Sequence, residues 1–209
     1  DYGIGTVKQW NKAQELKGVK VIAAGPNLPW VELFGAIPVT STLPTMYNDM
    51  ATGVAEGTVI FPTAHGGGYK FFEVAPYWTV TGFGAMNQNI LTINADTAAK
   101  LPADVMKIIE EEALVYGIAV NEDASVNYYK GLAKLVEEGQ KRGLSDTVYY
   151  LPIEQQAIWA EELKDWPNQR PNDILNEYGV DAIKIMDEYM DMMEDEGHVW
   201  PVRYEFKKL

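Results

Sequence analysis

The chain has 209 residues, 47% of them hydrophobic, enough for one domain or two small ones with a substantial core. It carries 30 acidic against 17 basic residues, a formal net charge of −13. A chain this acidic repels phosphate backbones, which argues against nucleic acid as a partner. Cysteine is absent, so thiol catalysis, thiolate metal sites and disulfides fall away. No apolar run is long enough to span a bilayer, and no direct membrane insertion is expected.

In chain order, the opening Asp1-Tyr2-Gly3-Ile4-Gly5 lacks the basic region and apolar core of a signal peptide, so an exported protein would have lost its leader. Gly3-Ile4-Gly5 also lacks the third glycine and the preceding strand of a dinucleotide fingerprint. Three short β-branched runs follow, Val19 to Ala24, Pro38 to Ser41 and Thr58 to Phe61. They alternate with segments that start at Pro or Thr and end at Gly, the pattern of βαβ units in a parallel sheet. Ligands of such sheets bind at the carboxyl ends of the strands.

From Pro102 to Arg142 apolar residues recur at helical spacing, among them Val105, Ile108, Ile109, Val115, Ile118, Leu132 and Leu135. This predicts one long helix, with Gly117 and Gly131 as candidate bends. A short strand is expected over Asp146 to Leu151 and a helix over Pro152 to Lys164. Trp166 to Asn172 has the composition of a turn-rich linker. A last helix is expected from Ile174 to Glu196, with Ile183, Met186, Met190 and Met193 on a packed face, then a terminal strand within Val199 to Phe206. Charge is uneven. The first hundred residues hold six lysines against seven acids, and the remainder eleven basic residues against 23 acids, as expected for solvated faces on long helices or a surface that docks on a partner.

An ordered set of blocks runs through residues 15 to 163. It comprises Glu15-Leu16-Lys17-Gly18, Gly35-Ala36-Ile37-Pro38, Met46-Tyr47 through Gly53-Val54-Ala55-Glu56-Gly57, Tyr69 through Glu73-Val74 to Thr81, and Leu91-Thr92-Ile93-Asn94. This set resembles the periplasmic solute-binding subunit of TRAP transporters, the DctP-type family. The resemblance implies an α/β, periplasmic-binding-protein-like (type II) lobe with a parallel-rich sheet, a long interlobe helix and C-terminal helices. Residues 1–100 would form the ligand-binding lobe, 101–145 the connecting helix, and 146–209 a strand and helices completing the lobes. Most of the family's first lobe would lie outside this chain. The implied protein is no enzyme and needs no cofactor or metal. It is a periplasmic receptor that captures a small-molecule solute, usually an organic acid, and hands it to the TRAP transporter membrane subunits. The family strand carries an arginine that clamps the solute carboxylate. Aligned on Leu16-Lys17-Gly18, this chain has Ile22 there, which cannot replace a guanidinium fork. Restoring Arg at position 22 would then strengthen dicarboxylate binding.

Position on the sheet edge nominates the ligand contacts. Asn27 follows the first of the three strands and precedes a helix, where its amide and nearby N–H groups could meet a polar or anionic group. Trp30 lies one turn on, Thr40 ends the second strand and Phe61 the third. Phe83 opens an apolar run interrupted by the amides of Asn87 and Gln88, which need partners if buried. Aromatic walls with amides rather than cations suit a small, partly apolar solute.

Two other classes remain open. His65-Gly66-Gly67-Gly68 is similar to the oxyanion loop of some esterases. The only serines, Ser41, Ser125 and Ser145, sit in no Gly-x-Ser-x-Gly frame, so a hydrolase would have to rest on carboxylates and this loop. A non-catalytic interaction module is the other. His65 and His198 are too far apart in sequence to suggest a metal site on their own.

Overall fold

The computed structural model describes residues 1–84, 91–163 and 165–209. Strands β1 (Gly3–Thr6), β2 (Lys20–Ile22), β3 (Ile37–Val39), β4 (Gly57–Ile60), β5 (Tyr77–Val80) and β6 (Val148–Tyr150) form one sheet in the order β3-β2-β4-β1-β5-β6. The three predicted strands, β2, β3 and β4, lie side by side and parallel, with Ile22 opposite both Val39 and Thr58. Helices α1 (Leu28–Glu32) and α2 (Leu43–Ala51) make the crossovers. Thr42 and Thr45 form a reciprocal capping box at the start of α2, where Pro44 also sits in the first turn, and Gly53 in the left-handed region (φ 76°) turns the chain back after it.

The sequence reading assigned no strand to Gly3–Thr6, yet β1 lies mid-sheet, antiparallel to both β4 and β5. Two glycines in four residues erase the usual strand signal. Close packing requires them. A Cβ on Gly3 would lie 2.7 Å from the Trp78 ring, and one on Gly5 would enter the ring of His65. Because β1 runs against its neighbours, β5 and β6 point the same way as β2, β3 and β4.

Alternate strand residues feed two apolar layers, one on each face. Val21 and Val59 join Trp10, Leu16, Phe34, Trp159 and Leu163. Ile22 and Ile60 join Met46, Met50, Phe71, Trp78, Leu132 and Leu135. In the first layer Trp159 stacks on Phe34 at 4.4 Å, and its indole N–H donates to the Trp30 carbonyl at 2.9 Å.

After the four-residue helix α3 (Ala95–Ala98), α4 (Ala103–Lys141) spans 39 residues as predicted, roughly 58 Å at the standard rise. It runs unbroken through both predicted bend positions. Gly131 instead permits close contact, since a Cβ there would sit 2.8 Å from the Thr63 nitrogen. Only the C-terminal part of α4 is buried, at Gly131, Leu132, Leu135 and Gly139. Its N-terminal half is largely exposed, Leu114 at 72% and Ile118 at 65%. The helical period was legible, but among the described residues the N-terminal part of that stripe is left largely exposed.

The C-terminal helices are α5 (Ile153–Glu162), α6 (Trp166–Tyr178) and α7 (Ala182–Asp195). The stretch expected as a linker, 166–172, is the first half of α6. Pro167 is tolerated in the opening turn, and Pro171 costs the helix one backbone bond without stopping it. The single helix expected over 174–196 is split by Gly179 (φ 69°), and Asp181 then caps α7 by accepting from the Lys184 N–H at 3.2 Å. The Ile183, Met186, Met190, Met193 face does pack inward, with Ile183 and Met190 buried. The tail forms no strand. Its extended backbone is held by two asparagines one turn apart on α6. Asn168 donates to the Glu205 carbonyl (3.1 Å) and accepts from the Lys207 N–H (2.9 Å), while Asn172 donates to the Lys207 carbonyl and accepts from the Leu209 N–H, both at 2.9 Å. Side-chain amides thus replace a neighbouring strand. Tyr204 ties the tail to α5 by donating to the Ala160 carbonyl at 2.8 Å, and Arg203 pairs with Asp191 and Glu194 on α7 at 2.6 and 3.2 Å.

Candidate functional site

Five of the six strands end on one edge, and β1 begins there. The segments leaving that edge carry Asn27, Thr40, Phe61, Thr81 and Phe83, with Tyr2 at the start of β1. Adjacent strands lie about 4.8 Å apart, so Thr40 beyond β3 and Phe83 beyond β5 are separated by four strand gaps, about 19 Å. Asn27, Phe61 and Tyr2 occupy the middle, on β2, β4 and β1. Phe61 meets Tyr2 edge-on at 5.8 Å, and Trp30 meets Phe83 at 4.9 Å. The edge therefore has a central aromatic pair and a second pair toward α5, while Thr40 stands exposed on the outermost strand. Asn87 and Gln88 lie outside the described residues.

The main chain at Asn27 is committed locally. Its N–H donates to the Ala24 carbonyl at 3.1 Å, the Leu28 N–H donates to Gly25, and Pro29 has no N–H. What remains to offer is the side chain, which is 4% exposed, with its Oδ1 buried and unpartnered among the described residues. A buried acceptor left unmade costs about 1–3 kcal/mol, so this position favours a hydroxyl or N–H donor over an anion.

A hydroxyl cluster that sequence reasoning missed lies just past β3. The Ser41 hydroxyl donates to the Asp49 carboxylate at 2.5 Å and meets the Thr45 hydroxyl at 2.9 Å, beside the capping box of α2. The signal was present in Ser41-Thr42-Leu43-Pro44-Thr45, whose hydroxyl residues bracket a proline at a helix start.

Ile22 does not face the edge. It is 0% exposed and belongs to the layer containing Met46 and Trp78.

The His65 glycine segment does not form an open loop. Ala64–Gly68 is a π-helical turn packed under α4, and His65 is fully buried between Phe71, Trp78 and Gly5. Its Nε2 lies 2.7 Å from the Ala75 carbonyl. A carbonyl only accepts, so Nε2 carries the proton and Nδ1 is a lone pair, unpartnered among the described residues. No substrate can reach this ring, which removes the oxyanion-loop reading.

Burial pushes the His65 imidazole down to a pKa of about 4, against the ordinary 6.5, the bond to Ala75 opposing only in part. The folded state therefore favours neutral histidine. Its contribution to stability is complete above pH 6.5 and is lost progressively as pH falls toward 4, by about 3 kcal/mol in all. Urea unfolding of the native chain and a His65→Gln variant at pH 7.5 and pH 4.5 isolates this term, because the carboxylates titrate alike in both. The variant is expected to lose less stability on acidification, and parallel losses would remove His65 as the source.

No curated protein matches the chain by sequence. Its fold is similar to that of a TRAP periplasmic solute-binding protein from Sulfitobacter sp. solved with bound β-D-galacturonate, at 17% identity and a TM-score of 0.65, covering 84% of this chain and 58% of that one. One from Pseudomonas aeruginosa with bound L-malate is similar at 19% identity and a TM-score of 0.68, covering 80% and 57%. The periplasmic ectoine-binding protein of the TeaABC TRAP transporter from Halomonas elongata is similar at 17% and 0.68, covering 90% and 59%. The chain thus spans under two-thirds of the length of these three proteins, and the likeness is one of fold. The family model of the bacterial extracellular solute-binding proteins, family 7, matches residues 4–169, most of the described sheet with α4 and α5 included, and the chain belongs to that DctP family.

Proposed function

We propose that the protein is the solute-binding part of a TRAP-type receptor of the periplasm, capturing a small organic acid or similar partly apolar solute and delivering it to the membrane subunits of the transporter. The observation that carries this reading is the common edge, where five parallel-pointing strands release their following segments together. Family membership and the solutes named for the similar structures support it: galacturonate, malate and ectoine. Asn27 supplies an acceptor for a solute hydroxyl or N–H, Phe61 an apolar wall, Thr40 a hydroxyl at the outer rim, and Trp30 with Phe83 the aromatic flank. Asn87 and Gln88 complete the proposed set. Residues 1–100 act as the ligand-binding lobe and 101–145 as the connecting helix, whose exposed apolar stripe suits contact with a second lobe. The protein works by binding and carries out no reaction, in keeping with the sealed position of His65.

Titration calorimetry with L-malate, D-galacturonate, ectoine and benzoate, alongside mass spectrometry of co-purified small molecules, tests the reading. At least one solute is expected to bind, and Asn27→Ala is expected to weaken it about tenfold, the worth of one buried hydrogen bond. A folded protein that binds none and carries none refutes it.

A further inference from the structure

A cavity of about 110 Å³ lies between the C-terminal tail and the body of the protein. Trp30, Phe83, Trp159 and Gln156 line it from the body, and Trp200 and Tyr204 from the tail. Its body side is a set of fixed aromatic rings: Phe83 stands edge-on to Trp159 at 4.8 Å and 4.9 Å from Trp30, and Trp159 is locked by its stack on Phe34. The tail side is anchored at the cavity by the Tyr204 bond to Ala160, both of them lining residues, and farther along the chain by the asparagine pair on α6. The shape is therefore set by the packed rings of the body together with the tail bonded across them.

Size, lining and charge together select a ligand class. Cavities of order 150 Å³ lined by apolar side chains take up benzene, so this space matches one six-membered ring. Aromatic walls favour a ring as occupant, through edge-to-face and offset contacts. One polar atom stands out in the lining residues: the Trp200 Nε1–H is buried and has no hydrogen-bond partner among the described residues. An indole nitrogen only donates, so the complementary ligand carries an acceptor. The neighbouring cation, Arg203, is already engaged by Asp191 and Glu194. Among the described residues a carboxylate here would find no free counter-charge, in a chain of net charge −13.

We propose that the cavity beneath the C-terminal tail is a binding site for an uncharged, benzene-sized aromatic molecule bearing one acceptor oxygen, held by the Trp200 indole N–H. The cavity shares Trp30 and Phe83 with the aromatic flank of the proposed solute edge but includes neither Asn27 nor Phe61, and its test, read with uncharged ligands and at Trp200, is separate from that of solute capture.

The test uses the full chain and two planar isosteres, acetophenone and α-methylstyrene, which differ by a carbonyl oxygen against a CH₂ group. Affinities are measured by ligand-detected NMR titration. The native protein is expected to bind acetophenone, and Trp200→Phe, which keeps an aromatic ring and deletes the donor, is expected to reduce the preference for acetophenone over α-methylstyrene by about tenfold. Ala160→Phe, which fills the cavity from α5, is expected to abolish binding of both, with circular dichroism and thermal melting showing that each variant is folded. The proposal is overturned if the native protein binds neither compound, if the preference is unchanged in Trp200→Phe, or if folded Ala160→Phe binds as the native chain does. Should Ala160→Phe fail to fold, the preference measured in Trp200→Phe decides alone.

Discussion

Gly5→Val is expected to destabilise the protein by about 2–6 kcal/mol. A Cβ at this position would lie 2.5 Å from His65 Nδ1 and 2.6 Å from Nε2, where carbon needs roughly 3.5 Å or more. The ring has nowhere to retreat, being fixed to the Ala75 carbonyl at 2.7 Å and enclosed by Phe71 and Trp78. Overpacking costs about 1–3 kcal/mol, and forcing the histidine from its bond adds about 1–3 more. Together these remove a large part of the stability of an ordinary domain, about 5–15 kcal/mol. Soluble yield and urea unfolding measure the effect, and Gly5→Ala should shift the midpoint in the same direction by less. A Gly5→Val protein with a native midpoint would mean that β1 does not carry His65 against its face.

Ile22→Arg is expected to destabilise the protein by about 3–5 kcal/mol and to leave dicarboxylate binding no stronger. The resemblance to a family that uses arginine here suggested the opposite. Ile22 is 0% exposed, however, its layer contains Met46, Met50, Ile60, Phe71 and Trp78, and among the described residues no acidic side chain is buried to pair a guanidinium. An unpaired charge placed there loses its hydration with nothing to offset it. Urea unfolding together with succinate titration separates the two outcomes. Native-like stability with a gain in succinate affinity would show that this side chain reaches the edge.

Periodicity made much of the fold legible and little of the site. The β-branched runs at 19–24, 38–41 and 58–61 announced three parallel strands, and the apolar spacing after Pro102 announced α4, because in both cases burial imposes a pattern on the side chains. β1 was hidden for the converse reason: where rings press on the backbone, only glycine fits, and glycine carries no strand signal. In α6, Pro167, Asn168, Pro171 and Asn172 imitate a loop, although both prolines are accommodated and both asparagines face the tail. At the edge, sequence order alone nominated Asn27, Thr40, Phe61 and Phe83. Sequence could not reveal that the backbone amide of Asn27 is spent on a turn, that Ile22 points into a core layer, or that Trp200, far along the chain, comes to share a cavity with Trp30.

The central place of β1 bears on how the molecule assembles. Among the described residues, Gly3–Thr6 is the sole hydrogen-bonded seam between the β3-β2-β4 group and the β5-β6 pair. Gly3 finds its partners at Ile60 and Val80, so β1 joins the sheet only through two contacts of long loop closure. Until β1 is seated, β4 and β5 each present a bare strand border to other chains. Four residues that contribute little surface of their own thus set the interval in which a newborn copy is most prone to stick to its neighbours.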